Sequence, residues 1–222
     1  MSTLANSAFN RLLSDLNGFL RPQGFRRSGQ RYGRETEQCW QVIGFQKSRY
    51  SDTGETRFTV NFGVTSKALL TFKGEDPSKM PLDWKFPIRC RIGELLKAGD
   101  LWWSSNEGDN FRSAFTTITT GISAKAMPFL NGLNTDAGIL ALYRAGLVMG
   151  FEIDRDETRM VLVAHSGLKH EASQWLMSYA ERWLPGATSR RAANFLAAYR
   201  AQFGFADVSP ASRKSRAWTA RA

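Results

Sequence analysis

A chain of 222 residues with 42 % apolar and 23 % charged residues has enough hydrophobic side chain for a sizeable core. Fifteen Phe and seven Trp exclude a wholly disordered polymer. The net charge of +10 favours acidic partners or nucleic acid without dictating a fold.

Ser2 to Leu20 reads as an amphipathic helix, with Phe9, Leu12, Leu13, Leu16, Phe19 and Leu20 at helical spacing and Pro22 and Gly24 to stop it. Residues 25–36 read as a basic edge hairpin turning at Gly29. Residues 39–47 are apolar on both parities and suit a central strand. After the turn signal Ser51-Asp52-Thr53-Gly54, residues 57–65 alternate cleanly, with Phe58, Val60, Phe62 and Val64 to one side. We expect an antiparallel hairpin from these two runs, a short strand over 69–72, and a loop over 74–87. A second hairpin is expected from 88–96 and 101–104, with its turn at 98–100.

From Asp109 the period becomes helical. Helices are expected over about 109–122, 135–145, 155–166, 170–184 and 189–203, with Pro128 and Gly132 ending the first. Asn134 and Asp154 are the candidate caps of the next two. The fold class is therefore α+β: an N-terminal helix packed on an antiparallel β-sheet, followed by a C-terminal set of helices. The expected organisation is a single domain over 1–205, sheet-rich over 1–105 and helical over 109–205, with a disordered basic tail at 206–222.

The N-terminus lacks the basic and then apolar pattern of an export signal. No run reaches the ~18 apolar residues of a membrane span. A cytoplasmic protein without a membrane partner is expected. Two cysteines, Cys39 and Cys90, then read as buried free thiols. The two histidines, His165 and His170, are separated by Gly167 and do not have the i, i+4 spacing of a zinc helix. No serine elbow, phosphate loop or dinucleotide loop occurs. The pattern calls for no catalytic residue, no metal and no cofactor. The acidic group Glu152, Asp154, Asp156 and Glu157 suits a helix start.

Two features suggest binding. Arg21, Arg26, Arg27, Arg31 and Arg34 form a basic run with Phe25 and Tyr32 among them, which fits either a nucleic-acid surface or an edge strand protected by charge. Trp102 and Trp103 are adjacent, so on a strand they point to opposite faces, one into the core and the other either exposed or covered by a helix. Trp218 lies among the basic residues of the tail.

Several pieces in this order carry a resemblance: Phe9-x-x-Leu12, Leu20-Arg21-Pro22-x-Gly24-Phe25-Arg26-Arg27, Trp40 through Ser48, Phe58 through Val64, Arg91-Ile92-Gly93-x-Leu95, and Trp102-Trp103. Over about residues 5–125 the chain resembles a bacterial family without assigned function, domain-of-unknown-function family 4304. The resemblance implies a helix on an antiparallel sheet and brings no activity. It also directs attention to Gln46, Lys47 and Ser48 at a strand end and to Asn61 in the neighbouring strand, polar positions that could line a groove or simply complete hairpin hydrogen bonds. The candidate binding residues are thus Gln46, Lys47, Asn61, Trp102, Trp103, Arg26 and Arg27. Three functions are carried forward: a non-enzymatic protein-binding or accessory module of immunity or regulatory type, a nucleic-acid-associated protein, and an enzyme of unrecognised type. The sequence leaves the oligomeric state open.

Overall fold

The computed structural model describes residues 4–51, 55–81, 86–105, 109–147 and 152–205; the tail expected to be disordered lies outside them. Contacts divide the chain into two compact units, 1–150 and 151–222. The first holds the N-terminal helix, an antiparallel six-stranded sheet and further helices.

Helix α1 spans Leu4–Leu20 and buries Ala8, Phe9, Leu12, Leu13, Leu16 and Leu20, the stripe its spacing predicts. A short 3-10 turn, Arg21–Gln23, then ends at Gly24, whose φ of 87° suits a residue without a Cβ. Strands β1 (Arg26–Ser28), β2 (Arg31–Glu35), β3 (Cys39–Lys47) and β4 (Arg57–Ser66) form an antiparallel meander. The β1–β2 turn falls at Gly29, as expected.

Two expectations are corrected. Residues 67–72 form a helix, α2 (Lys67–Phe72), where a strand is predicted over 69–72. The Ser66 hydroxyl accepts hydrogen bonds from the amides of Ala68 and Leu69, and this N-cap turns the chain out of β4. The second hairpin does not form. β5 (Ile88–Arg91) runs into a one-turn helix, α3 (Ile92–Leu95), and the next strand, β6, is only Trp103–Ser104. β5 and β6 each pair with β4, at Asn61–Val64 and Arg57–Phe58 respectively.

Register defines two faces. On one lie Tyr32, Gln41, Ile43, Phe45, Phe58, Val60, Phe62 and Trp103. Helix α1 covers this face: the Tyr32 hydroxyl donates to the Leu13 carbonyl, and Phe9 meets Phe58 with ring centroids 5.1 Å apart. Helices α4 (Asp109–Gly121) and α5 (Met127–Asn131) are joined by a π-helical segment, Ile122–Ala126; the run ends at Gly132, as expected, but passes through Pro128, where a break is predicted. Pro128 is the second residue of α5, which follows the π-helical segment directly; the wider π turn lies where proline cannot supply the ordinary helical amide bond. Gln41, fully buried, donates to the Leu130 carbonyl at 2.6 Å and accepts from Arg34 at 2.8 and 2.6 Å, which ties α5 to this face. Helix α6 (Asp136–Arg144) is capped by Thr135, whose hydroxyl accepts from the Gly138 amide. Asn134, the predicted cap, instead accepts from Gln41.

The opposite face carries Trp40, Val42, Gly33, Gly44, Gly63, Asn61 and Gln46. Residues 77–81 and Phe86 cover part of it. A Cβ on Gly33 would lie 2.1 Å from Met80 Sδ, and one on Gly63 would lie 2.3 Å from the Phe86 ring, so both glycines are needed for the loop to seat. The Trp40 indole donates to the Pro77 carbonyl and Arg31 to the Pro81 carbonyl, each at 2.9 Å. β3 is thereby buried on both faces from Cys39 to Phe45.

The second unit contains α7 (Glu152–His165), α8 (Lys169–Trp183) and α9 (Ser189–Phe203). Asp154 lies within α7 and does not cap it. The acidic residues here tie helices together: Arg191 bonds Asp154 and Glu157, Tyr179 donates to Glu157 at 2.9 Å, and Trp183 to Asp156 at 3.0 Å. His165 and His170 are exposed. Among the described residues no helix is long and apolar enough to cross a membrane.

Candidate functional site

The candidate residues distribute over both faces, because neighbours along a strand point opposite ways. Gln46 and Asn61 meet on the face away from the helices, where the Asn61 amide donates to Gln46 Oε1 at 3.0 Å. The bond is side chain to side chain; a backbone partner for Asn61 is not what forms. Lys47 turns to the helical face, with its ammonium 4.7 Å from the centroid of the Phe9 ring. Trp103 also faces the helices and stacks on Phe58 at 6.2 Å. Trp102 precedes β6 and donates from its indole to Asp100 at 2.9 Å. Both tryptophans are half-buried. Arg26 and Arg27 are exposed on the edge strand and belong to opposite faces; Arg27 donates to the Gly29 carbonyl at 3.0 Å.

Arg91, from β5, joins these pieces. It lies directly opposite Asn61, and its guanidinium sits 5.6 Å from the centroid of the Trp102 ring. Asp100 binds both the Arg91 guanidinium and the Trp102 indole. Hydrogen bonds from Trp102 and then Arg91 hold the Asp100 carboxyl below its ordinary range, so this anchor stays ionised at neutral pH. The platform rests on two structural features. Thr59 donates to the Leu101 carbonyl at 2.8 Å, and Gly93 lets α3 approach the loop. A Cβ on Gly93 would lie 1.8 Å from the Gly99 carbonyl oxygen.

Extending the register across the sheet places Arg26, Arg31, Arg57, Arg89 and Arg91 on this one face; among the described residues the strands themselves add one carboxylate to it, Glu35, which Lys67 binds at 2.7 Å. Of the basic run 21–34, only Arg26 and Arg31 contribute. Arg34 belongs to the helical face, where burial lowers its pKa. Residues 1–150 contain nineteen Lys and Arg against thirteen Asp and Glu, +6 of the chain's +10, so the basic character does not reside in the tail alone. At the same end of the sheet as Gln46, Tyr50 is 71 % exposed, and Arg49 stacks on it at 5.0 Å.

Sequence reasoning missed Arg89, Arg91 and Tyr50. The signal for the first two was Ile88-Arg89-Cys90-Arg91, where arginines at i and i+2 share a face once the run is read as a strand. The cysteine positions look chemically inert. Burial, aided at Cys90 by Glu94, pushes both thiols up to about 12, where the nucleophilic thiolate is scarce at neutral pH. Among the described residues no group of His, Cys, Asp and Glu is placed to hold a metal ion.

The fold and this site define a class: an α+β protein whose antiparallel sheet is closed by helices on one side and lined with arginines on the other. The chain belongs to the family described as a domain of unknown function (DUF4304), whose model matches residues 16–132. The match lies within the first compact unit and includes Gln46, Asn61, Arg91 and Trp102. No curated protein and no solved structure matches the chain.

Proposed function

We propose that the protein is a non-catalytic binding module whose ligand is nucleic acid, held on the arginine-bearing sheet face, and that it works in the cytoplasm of a bacterium. The observation that carries this reading is the placement of five arginines, Arg26, Arg31, Arg57, Arg89 and Arg91, on a single sheet face. Two arginine–aromatic pairs, Arg91 with Trp102 and Arg49 with Tyr50, add stacking surfaces at the same end. Binding by three or four arginines implies a steep salt dependence, with affinity for a single strand falling roughly thirtyfold between 50 and 200 mM salt. Fluorescence anisotropy with labelled oligonucleotides tests this. Binding at 50 mM salt that collapses by 200 mM supports the reading; no binding at 50 mM, or salt-independent binding, overturns it.

A protein partner is the second reading, an accessory module of immunity or regulatory type. Tyr50 favours it, since an aromatic exposed this far is the kind of anchor that interfaces bury. Half-buried Trp102 and Trp103 give it less support than an exposed patch around them would. A partner retained from host lysate through nuclease and high salt moves the assignment to this reading.

A further inference from the structure

The arginine-bearing face is not uniformly cationic; around Asn61 it has a specific arrangement of donors and an acceptor. We infer that Gln46, Asn61, Arg91 and Trp102 form a subsite for one unpaired nucleotide of a single strand. The inference rests on the nucleic-acid reading above and deepens it.

A bare phosphate offers only acceptors, and a patch built for it needs only donors. Here the Asn61 amide is spent on Gln46 Oε1, and that bond orients both side chains. Asn61 Oδ1 and Gln46 Nε2 have no hydrogen-bond partner among the described residues. An acceptor beside a donor is the complement of a base edge, which presents the same alternation. Asn61 is 8 % exposed and set into the sheet, while Gln46 beside it is exposed.

Arg91 supplies the second half. Its guanidinium lies against Trp102 and one terminal nitrogen is fixed by Asp100, whereas Nε and the other terminal nitrogen have no partner among the described residues. A guanidinium held this way presents a flat outer plane for stacking a base and an N–H edge for its phosphate. Because Asn61 and Arg91 are paired across β4 and β5, their Cα atoms are about 5 Å apart, so one nucleotide can reach both.

Depth determines the strand state. In a duplex, base edges lie at the bottom of grooves, the major one ~8.5 Å deep. A recessed asparagine within a sheet cannot enter such a groove. A base swung out of a single strand can come down to it.

The test uses the full chain with a labelled twelve-nucleotide single strand of each base and with a matched duplex, by anisotropy at 50 mM salt. Gln46→Ala removes an exposed side chain and leaves the core intact; Arg91→Lys keeps the charge and loses the planar fork. We expect single strands to bind at least about tenfold more tightly than duplex, with unequal affinity among the four bases. Each variant should lower single-strand affinity about five- to tenfold and leave duplex affinity unchanged. Equal binding of duplex and single strands, or single-strand affinity unaffected by both variants, overturns the subsite while the cationic-face reading stands. Failure of every nucleic acid to bind overturns both.

Discussion

Gly93→Ala is the perturbation whose effect follows most directly from geometry. Gly93 is buried in α3, and a Cβ there would meet the Gly99 carbonyl oxygen at 1.8 Å, the Gly99 carbonyl carbon at 3.0 Å and the Leu101 amide nitrogen at 3.1 Å. All three are backbone atoms, so no side chain can rotate away. A tolerable contact needs at least 3.0 Å, so helix and loop must separate by about 1.2 Å. That movement strains the Ala98 amide bond to the Gly93 carbonyl, 2.9 Å long, and the Thr59 bond to Leu101, 2.8 Å long. Overpacking costs about 1–3 kcal/mol and a weakened buried hydrogen bond about 1 kcal/mol more, giving about 2–4 kcal/mol in total. For a unit of this size the melting temperature should fall by roughly 5–15 °C. The same shift displaces Asp100 and Trp102 from Arg91, so oligonucleotide affinity should drop under conditions where the variant is still folded. Thermal unfolding by circular dichroism and anisotropy at 20 °C measure both. Gly18→Ala is the control: at an exposed position of α1 its Cβ meets nothing within 4 Å, and it should stabilise the chain by about 0.5–1 kcal/mol. A Gly93→Ala variant as stable as the parent would refute the reasoning.

Four further outcomes are expected. Gln41→Ala removes the buried bonds to Arg34, to the Leu130 carbonyl and to Asn134 and leaves a cavity, so chemical denaturation should show a loss of about 2–4 kcal/mol. Cys39 and Cys90 are both held up to about 12, above their unfolded values; the unfolded chain therefore loses these protons first, stability is fully present below about pH 8.5 and falls as pH rises toward 12, and the urea midpoint should drop between pH 8 and 10.5. A thiol reagent at pH 8 should label both cysteines readily only once the chain is unfolded. Arg191→Ala removes bonds to Asp154 and Glu157, but the guanidinium is half-exposed and screened; the second unit should lose only about 0.5 kcal/mol, seen as a small drop in melting temperature that shrinks in 1 M salt.

Long, strongly periodic elements were legible in the sequence. Helix α1, the β3–β4 hairpin and the last three helices lie where their periods place them, within the few residues by which ends fray. The failures have local causes. Residues 69–72 are too short to carry a period, and the Ser66 cap decides their conformation. The apolar residues that continue through Leu96 suggest a hairpin after β5; α3 takes those residues, and β4 is long enough to pair with β5 and β6 in succession. The site was half legible. Gln46 and Asn61 stood out as polar residues in apolar strands, and the structure brings them together. Arg91 could not be joined to them, because their proximity depends on which strand β5 pairs with, a contact between residues thirty positions apart. Lys47 and Trp103 fell on the other face through the period of two alone.

Charge reversal confined to one face tests the central claim most directly. Arg26→Glu with Arg57→Glu alters two exposed positions on the arginine-bearing face; Arg112→Glu with Arg190→Glu, on α4 and α9, changes net charge equally elsewhere. The account predicts that the first pair lowers single-strand affinity at 50 mM salt by more than about tenfold and the second by less than about threefold. Equal losses from both pairs would contradict it, leaving only a diffuse attraction of a basic chain for a polyanion.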